Sequence, residues 1–82
     1  MEVESKLKHF IATELMYGED DDVLSSEEPL LGSGIVDSLG IMRLVSYIEE
    51  EFGVVVPEEE LIPEHFQTVS RLTAFVERLQ AA

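Results

Sequence analysis

Ser38 is the residue of this sequence whose surroundings best fit a chemical role. It follows the glycine-containing segment Gly32-Ser33-Gly34 and lies where a helical hydrophobic pattern begins. Unpaired backbone N–H groups and the positive end of the helix dipole converge at such a position, so a phosphate or phosphodiester attached there would be stabilised. A serine that merely caps the helix would occupy the same position. These local signals leave both interpretations open.

The acidic run at residues 19–22 suggests a calcium site, but its register is wrong. An EF-hand loop beginning at Asp20 needs glycine at its sixth position and glutamate at its twelfth, where this chain has Ser25 and Leu31. Later starting positions fit no better. We therefore predict a solvated acidic loop and no dedicated metal site.

The remaining candidate groups do not form a catalytic arrangement. His9 and His65 lack metal-ligand spacing, and His9 lies off the apolar face of its predicted helix, so we expect it to be exposed. No local Ser/His/Asp set is present. Gly32-Ser33-Gly34 lacks the lysine and the spacing of a phosphate-binding P-loop, so we interpret it as a turn. The sequence predicts no catalytic residue.

Composition narrows the possible partners. The chain has 82 residues, 18 acidic and 5 basic, with a net charge of −13 and no cysteine. This charge disfavours nucleic acid and anionic membranes, and it favours cationic patches on other proteins. The absence of cysteine excludes disulfides and cysteine-bound metals. With no apolar run of membrane-spanning length and no secretory segment, we expect a cytoplasmic, monomeric protein that forms a single domain over residues 1–82.

Two long helices are predicted in the first two thirds of the chain. The first covers residues 2–17 and ends at Gly18. The second begins with Asp37 or Ser38 as its N-cap and ends at Gly53. Between them runs a long polar connection that leucines should pin to the core. The apolar residues expected to face the core in these segments are Val3, Leu7, Phe10, Ile11, Leu15, Leu24, Leu30, Leu31, Ile41, Leu44, Val45, Ile48 and Phe52.

The last third predicts one short and one long helix. Val54-Val55-Val56 is β-prone but has no second strand to pair with, so we interpret it as an extended link. A short helix should follow Pro57 and stop at Pro63. The final helix should begin after Thr68 and bury Val69, Leu72, Phe75, Val76 and Leu79. The predicted fold is all-α: a small four-helix bundle of three main helices and one short helix, with a long first loop.

The sequence around Ser38 resembles that of acyl carrier proteins. The resemblance is carried by Asp37-Ser38-Leu39, Leu44-Val45, Ile48-Glu49-Glu50-Glu51-Phe52-Gly53, Val56-Pro57-Glu58-Glu59-Glu60-Leu61 and His65-Phe66-Gln67-Thr68-Val69, followed by Leu72 and Phe75-Val76. Length, acidity, helix order and the long first loop also fit. The resemblance covers nearly the whole chain.

This resemblance implies a non-catalytic carrier. Ser38 would receive 4′-phosphopantetheine from coenzyme A through a separate phosphopantetheinyl transferase, and the terminal thiol would hold an acyl or aminoacyl cargo as a thioester. Partner enzymes that load and process the cargo would carry basic patches and dock on the second helix of this chain. The expected docking residues are Asp37, Leu39, Met42 and Arg43, with Leu39 and Met42 at least partly exposed.

Two features depart from the pattern of fatty-acid carriers and indicate the kind of pathway that the chain serves. Arg43 stands where fatty-acid carriers usually have an acid, and the motif reads Ile35-Val36-Asp37-Ser38-Leu39-Gly40. This version looks more like free-standing carriers of natural-product pathways, of the polyketide or nonribosomal-peptide type. A fatty-acid carrier, a D-alanyl carrier, and an unmodified acidic helical adaptor that needs no serine at position 38 are the alternatives.

Overall fold

A computed structural model describes residues 2–16, 18 and 24–81, and every regular element in these residues is helical. The elements are α1 (Glu2–Phe10), a π-helical turn (Ile11–Leu15), α2 (Ser38–Phe52), two 3₁₀ helices (Glu58–Glu60 and Pro63–Phe66) and α3 (Val69–Ala81). Helix α1 packs along α3, and α2 also contacts α3. The predicted all-α fold is confirmed. No helix in the described part of the chain is long and apolar enough to cross a bilayer.

The first helix differs from its prediction. Only residues Glu2–Phe10 are α-helical, and the backbone then widens into the π turn, in which the Met16 N–H donates to the Ile11 carbonyl at 2.9 Å. The helical residues end at Leu15, two residues before the predicted end, and Gly18 lies beyond them. The φ of Gly18 is 92°, a positive value that glycine adopts readily, and its N–H donates to the Ala12 carbonyl at 3.1 Å. Hydrophobic periodicity did not reveal the π turn, because five residues are too few for a spacing pattern to distinguish an α turn from a π turn.

The ends of α2 and α3 follow from single residues. Asp37 is the N-cap of α2, and Gly53 ends the helix with a left-handed φ of 66°. The Thr68 hydroxyl accepts a hydrogen bond from the Arg71 N–H at 3.1 Å, as an N-cap does. These three predictions are confirmed.

The segment between α2 and α3 corrects one prediction. Residues 54–56 form no regular element, which agrees with their interpretation as a link, and Val56 is buried while Val55 is exposed. The short helix is a single 3₁₀ turn, Glu58–Glu60. Pro63 begins a second one, Pro63–Phe66, so it is wrong that Pro63 only stops a helix. A proline at the first helical position loses no hydrogen bond, and its fixed φ suits the turn.

One hydrophobic core joins the helices, the π turn, the long loop and the second 3₁₀ helix. Leu24 and Leu30 are buried, which confirms that the long loop is pinned to the core, and Leu31 is half-buried. The predicted core residues Phe10, Leu15, Ile41, Phe52 and Leu79 are half-buried at its edge. The buried apolar residues are Val3, Leu7, Ile11, Ala12, Leu24, Leu30, Val36, Leu44, Val45, Ile48, Val56, Phe66, Val69, Leu72, Phe75 and Val76.

Candidate functional site

Ser38 lies at the first position of α2 with its side chain exposed. The capping role belongs to its neighbour, because Asp37 Oδ1 accepts a hydrogen bond from the Gly40 N–H at 2.8 Å. Among the residues that the structure describes, no group hydrogen-bonds the Ser38 hydroxyl. The sequence left open whether Ser38 caps the helix or bears a group. Because Asp37 accepts the capping hydrogen bond, Ser38 is left available for chemistry.

Backbone hydrogen bonds, within the loop and to the residue before Thr68, stabilise the loop that precedes Ser38. The Ser33 N–H donates to the Pro29 carbonyl at 3.0 Å, and the Gly34 N–H donates to the Leu31 carbonyl at 3.2 Å. These amides are used inside a turn, which agrees with the sequence interpretation of Gly32-Ser33-Gly34. The Leu30 N–H also donates to the Gln67 carbonyl at 2.7 Å. The position of Ser38 is therefore fixed relative to the core.

Two apolar side chains stand beside the serine on the outside of α2. Leu39 is 71% exposed and Met42 is 56% exposed, and their spacing of three residues places them on one helix face. Their predicted exposure is confirmed. Large apolar side chains left in water in this way commonly mark a surface that another protein covers.

Arg43 also lies on this part of α2, but it is turned toward the end of the π turn. Its guanidinium donates to the Glu14 backbone carbonyl at 3.3 Å and to Glu14 Oε1 at 3.0 Å. Sequence reasoning missed Glu14, and 29 residues separate the pair, so no helical spacing connects them. The contact bridges a groove of about 150 Å³. The groove is lined by Glu14, Leu15, Gly34, Ile35, Asp37, Leu39, Gly40 and Arg43.

Gly40 is a buried lining residue of this groove, directly under the cap of α2. A Cβ at this position would stand 3.3 Å from Asp37 Oδ1, 3.4 Å from Val36 Cγ1 and 3.8 Å from Leu15 Cδ1. A side chain here would therefore crowd the capping carboxylate, a constraint that the sequence motif alone does not disclose.

Neither histidine contacts Ser38 in the described part of the chain. His9 is exposed, as predicted. His65 stacks on Phe75 with 4.3 Å between ring centroids, and its Nε2 lies 2.8 Å from Glu60 Oε1. The hydrogen bonds from His65 and then from Arg78 lower the pKa of Glu60. This cluster joins the 3₁₀ segment to α3 and has the character of a structural contact.

No cluster of three or more potential metal-ligating side chains occurs within residues 2–16, 18 and 24–81. The acidic run at residues 19–22 lies outside the described residues. The prediction of a solvated acidic loop there stays a prediction.

Comparison with known proteins identifies the family. The chain matches the family described as "Phosphopantetheine attachment site" over residues 5–76, a span that includes the whole of α2 and the groove. The chain belongs to this family. Its prosthetic group is 4′-phosphopantetheine, and its members are carriers of acyl groups.

Individual relatives agree with this assignment. The chain is 42% identical over 79 residues to the "Probable acyl carrier protein PigG" of a Serratia species, covering 96% of this chain and 90% of that protein. It is 36% identical over 56 residues to the "D-alanyl carrier protein" of Streptococcus pyogenes serotype M1, covering 68% of this chain and 71% of that protein. A chain in a solved structure described as "Crystal structure of FAD-dependent dehydrogenase" superposes with a TM-score of 0.77 at 44% identity, over 87% of this chain and 99% of that chain.

The residues around Ser38 fit a phosphopantetheine group. The serine is exposed, and its neighbour rather than the serine caps the helix. An ester formed on the Ser38 hydroxyl would displace no hydrogen bond given by the described residues. The site can accept the group without rearrangement of the cap.

Proposed function

We propose that Ser38 is the residue that bears 4′-phosphopantetheine and that the whole chain acts as one carrier domain. The observation that carries this proposal lies at the start of α2, where Asp37 caps the helix and the Ser38 side chain is exposed. When bound, the group supplies a thiol on which an acyl or aminoacyl cargo is held as a thioester. The chain's own contribution is to hold the serine at a fixed, accessible position.

The carrier needs no catalytic machinery of its own. No described residue hydrogen-bonds the Ser38 hydroxyl, so we infer that its activation falls to the phosphopantetheinyl transferase. Asp37 is committed to the Gly40 N–H and holds the first turn of α2 in place. A tethered cargo then gains effective concentration at each partner that docks. The protein is a substrate of its partners and not a catalyst.

The test is the intact mass of the purified chain after incubation with coenzyme A and a broad-specificity phosphopantetheinyl transferase. We expect the parent chain to gain the mass of one phosphopantetheine and Ser38→Ala to gain none. Ser46→Ala removes another exposed serine of α2 and should be modified as completely as the parent. An unmodified parent chain, with a known carrier modified in parallel, would overturn the proposal in favour of an acidic adaptor that uses Leu39 and Met42 alone.

We also propose that partners dock on the start of α2 through Asp37, Leu39, Met42 and Arg43. Leu39 and Met42 supply an apolar centre, and the net charge of −13 supplies attraction to basic partner surfaces. Association driven by such charge slows as salt rises, because counterions screen it. We therefore expect the apparent association rate with the transferase to fall between low and moderate salt.

We infer that the chain serves a natural-product pathway that includes a flavin-dependent oxidation. The similarity to PigG and the presence of Arg43 support a carrier outside fatty-acid synthesis. The matched chain of the dehydrogenase structure is aligned over 99% of its length. That chain is therefore of carrier size, and we infer that a carrier accompanies the flavoenzyme there. A thioester acidifies the hydrogen on its α-carbon, so a dehydrogenase can remove that proton while hydride passes from the β-carbon to FAD.

This partner assignment is tested by following flavin absorbance without oxygen. Our chain, loaded with a panel of acyl and aminoacyl thioesters, is mixed with the flavoenzyme of that solved structure. We expect bleaching of the flavin with at least one loaded form and none with the unloaded carrier. No bleaching by any loaded form, while the flavoenzyme's own loaded carrier bleaches it, would contradict the assignment. The D-alanyl alternative, supported by similarity over 68% of this chain, predicts bleaching by none.

A further inference from the structure

Arg43 places a positive charge beside the exposed apolar pair of α2. It is the only lysine or arginine between residues 9 and 70, in a protein with a net charge of −13. Successive residues of an α-helix are rotated by about 100°, so Arg43 lies about 40° from Leu39, and Met42 lies about 60° from Leu39 on the other side. The three exposed side chains therefore form one continuous surface of the helix, and its positive charge is Arg43.

The Arg43 side chain can be reached from two sides. It lines the groove of about 150 Å³ together with Glu14 and Leu39, and it lines a second hollow of about 280 Å³ together with Phe10 and Tyr47. No other described residue lines both, so this side chain forms the ridge between them. A polar group of a docked protein can therefore approach the guanidinium without entering the core.

The contact that Arg43 makes with Glu14 is exchangeable. The two side chains are 46% and 48% exposed, so water screens their attraction and the pair contributes little to stability. The guanidinium bonds one carboxylate oxygen and the backbone carbonyl of Glu14, so it does not bind the carboxylate through two parallel hydrogen bonds. A carboxylate that meets the guanidinium in this bidentate way is bound more strongly and with defined geometry.

The charge of Arg43 opposes the preference that the net charge gives to the rest of the surface. A lysine or arginine of a partner that faced Arg43 would be repelled, because like charges across an interface are unfavourable. A carboxylate at the same place would gain charge-assisted hydrogen bonds. The partner that fits this surface has an apolar socket for Leu39 and Met42, a carboxylate beside the socket, and basic residues farther out.

We propose that Arg43 is a specificity-determining residue that binds a carboxylate of the flavin-dependent partner, which replaces the Glu14 carboxylate when the two proteins dock. The inference rests on the proposed docking surface and on the proposed flavin-dependent partner. A protein that presents a cation at this place is rejected, although the net charge of the carrier attracts it. Attraction by net charge alone would favour the opposite preference, so substitutions at Arg43 and Glu14 distinguish the two by the sign of their effects.

The experiment measures how the rate of flavin bleaching depends on the concentration of carrier, for carriers loaded with the thioester that bleaches the flavoenzyme. Loading is verified by intact mass and folding by urea unfolding. Arg43→Glu should raise the half-saturating concentration roughly 10-fold at low salt and less at high salt, with the limiting rate unchanged. Glu14→Gln removes the competing carboxylate and should lower this concentration about 2-fold, as expected for an exposed ion pair. Arg71→Glu makes the same change of charge at an exposed position of α3 and should leave it nearly unchanged.

A reciprocal change in the enzyme separates docking from a structural role of Arg43. Each aspartate and glutamate on the surface that the flavoenzyme presents to its own carrier is replaced in turn by arginine. One replacement should weaken docking of the parent and restore docking of Arg43→Glu.

Several results would overturn this inference alone, with the parent still bleaching the flavin. They are equal or tighter docking of Arg43→Glu, weaker docking of Glu14→Gln, an equal loss in Arg71→Glu, and the absence of any enzyme replacement that restores docking. If no loaded form of the parent bleaches the flavin, the partner assignment and this inference fail together. The gain of mass by the parent tests the attachment to Ser38 separately.

Discussion

The two ends of α2 differ in whether their side chains are exposed or packed against the rest of the protein. At the N-terminal end, Ser38, Leu39 and Met42 are exposed, and the Asp37 side chain caps the helix by accepting a hydrogen bond from the Gly40 N–H. At the C-terminal end the aromatic side chains pack on one another. Tyr47 stacks on Phe10 at 4.2 Å between ring centroids and meets Phe52 edge-on at 6.0 Å.

Polar groups at the C-terminal end are likewise engaged within the protein. Glu49 Oε2 accepts a hydrogen bond from the Val56 N–H at 2.9 Å, Lys6 pairs with Glu51 at 2.6 Å, and the Tyr47 hydroxyl donates to the Lys6 carbonyl at 3.3 Å. Burial, followed by the charge of Glu51, raises the pKa of Tyr47, while Lys6 lowers it. We expect recognition to depend on the exposed residues at the N-terminal end of α2 and stability to depend mainly on the C-terminal end. Apart from the Asp37 cap, substitutions at the two ends should therefore change different observables.

The largest effect is expected from removing the apolar pair at the N-terminal end. Leu39→Ala combined with Met42→Ala should lower kcat/KM of the phosphopantetheinyl transferase by roughly 30-fold, the equivalent of about 2 kcal/mol for a central interface contact. The free energy of unfolding should change by less than about 0.5 kcal/mol, since both side chains are exposed. Initial rates and urea unfolding measure the two quantities.

The matched control for this pair is Val55→Ala, which removes a 77% exposed side chain beyond the other end of α2. It should leave kcat/KM unchanged. If Val55→Ala slowed the transferase as much as the double substitution, the recognition surface would not be confined to the N-terminal end.

The next effect is on stability and belongs to the C-terminal end. Glu49→Ala leaves the Val56 N–H without its acceptor, beside a buried side chain, and should cost about 1–3 kcal/mol of unfolding free energy. Glu49→Gln keeps an acceptor oxygen and should cost less. Neither should slow modification of Ser38. Glu50→Ala, an exposed neighbour, serves as the control in urea unfolding, and a cost equal to that of Glu49→Ala would show that the hydrogen bond is unimportant.

A smaller cost is expected from the cap of α2. Asp37→Ala removes the acceptor of the Gly40 N–H and should destabilise the protein by about 1 kcal/mol. Asp37→Asn retains a capping oxygen and should be nearly neutral in thermal unfolding. If both variants unfolded like the parent, Asp37 would not be the cap, and Ser38 would be the remaining candidate for that role.

The smallest effect concerns acid stability, in the cluster formed by Glu60, His65 and Arg78. The hydrogen bonds from His65 and Arg78 hold the pKa of Glu60 below its ordinary value of 4.5. Because the folded-state pKa is lowered, the stabilisation is present above pH 4.5 and is lost as the pH falls through the lower folded-state value. Glu60→Gln should therefore flatten the loss of stability below that pH. Glu58→Gln, an exposed neighbour, should keep the slope of the parent, and equal slopes in all three proteins would contradict this assignment.

Local signals in the sequence were sufficient for the helix ends and most of the core. Gly53 and Thr68 act through their own backbone or side chain within one turn, so sequence alone predicted them. Leu24 and Leu30 interrupt a polar stretch, and that contrast predicted their burial. The choice between Asp37 and Ser38 as the cap needed coordinates, because both residue types cap helices and they are adjacent.

Contacts between distant segments could not be predicted in this way. The groove exists because the π turn brings Glu14 to Arg43, and no periodicity connects residues so far apart in the chain. The hydrogen bond from the Val56 N–H to Glu49 depends on how the link folds back over the end of α2. The role of Gly40 appears only when the atoms around its missing Cβ are known.

The central claim is that the start of α2 is built to present one serine. Fragmentation mass spectrometry of the modified chain, which localises the added group to a residue, tests it most directly. We predict that phosphopantetheine is found on Ser38 and on no other serine. Modification of Ser33 or Ser46, the nearest other serines in the chain, would contradict the claim.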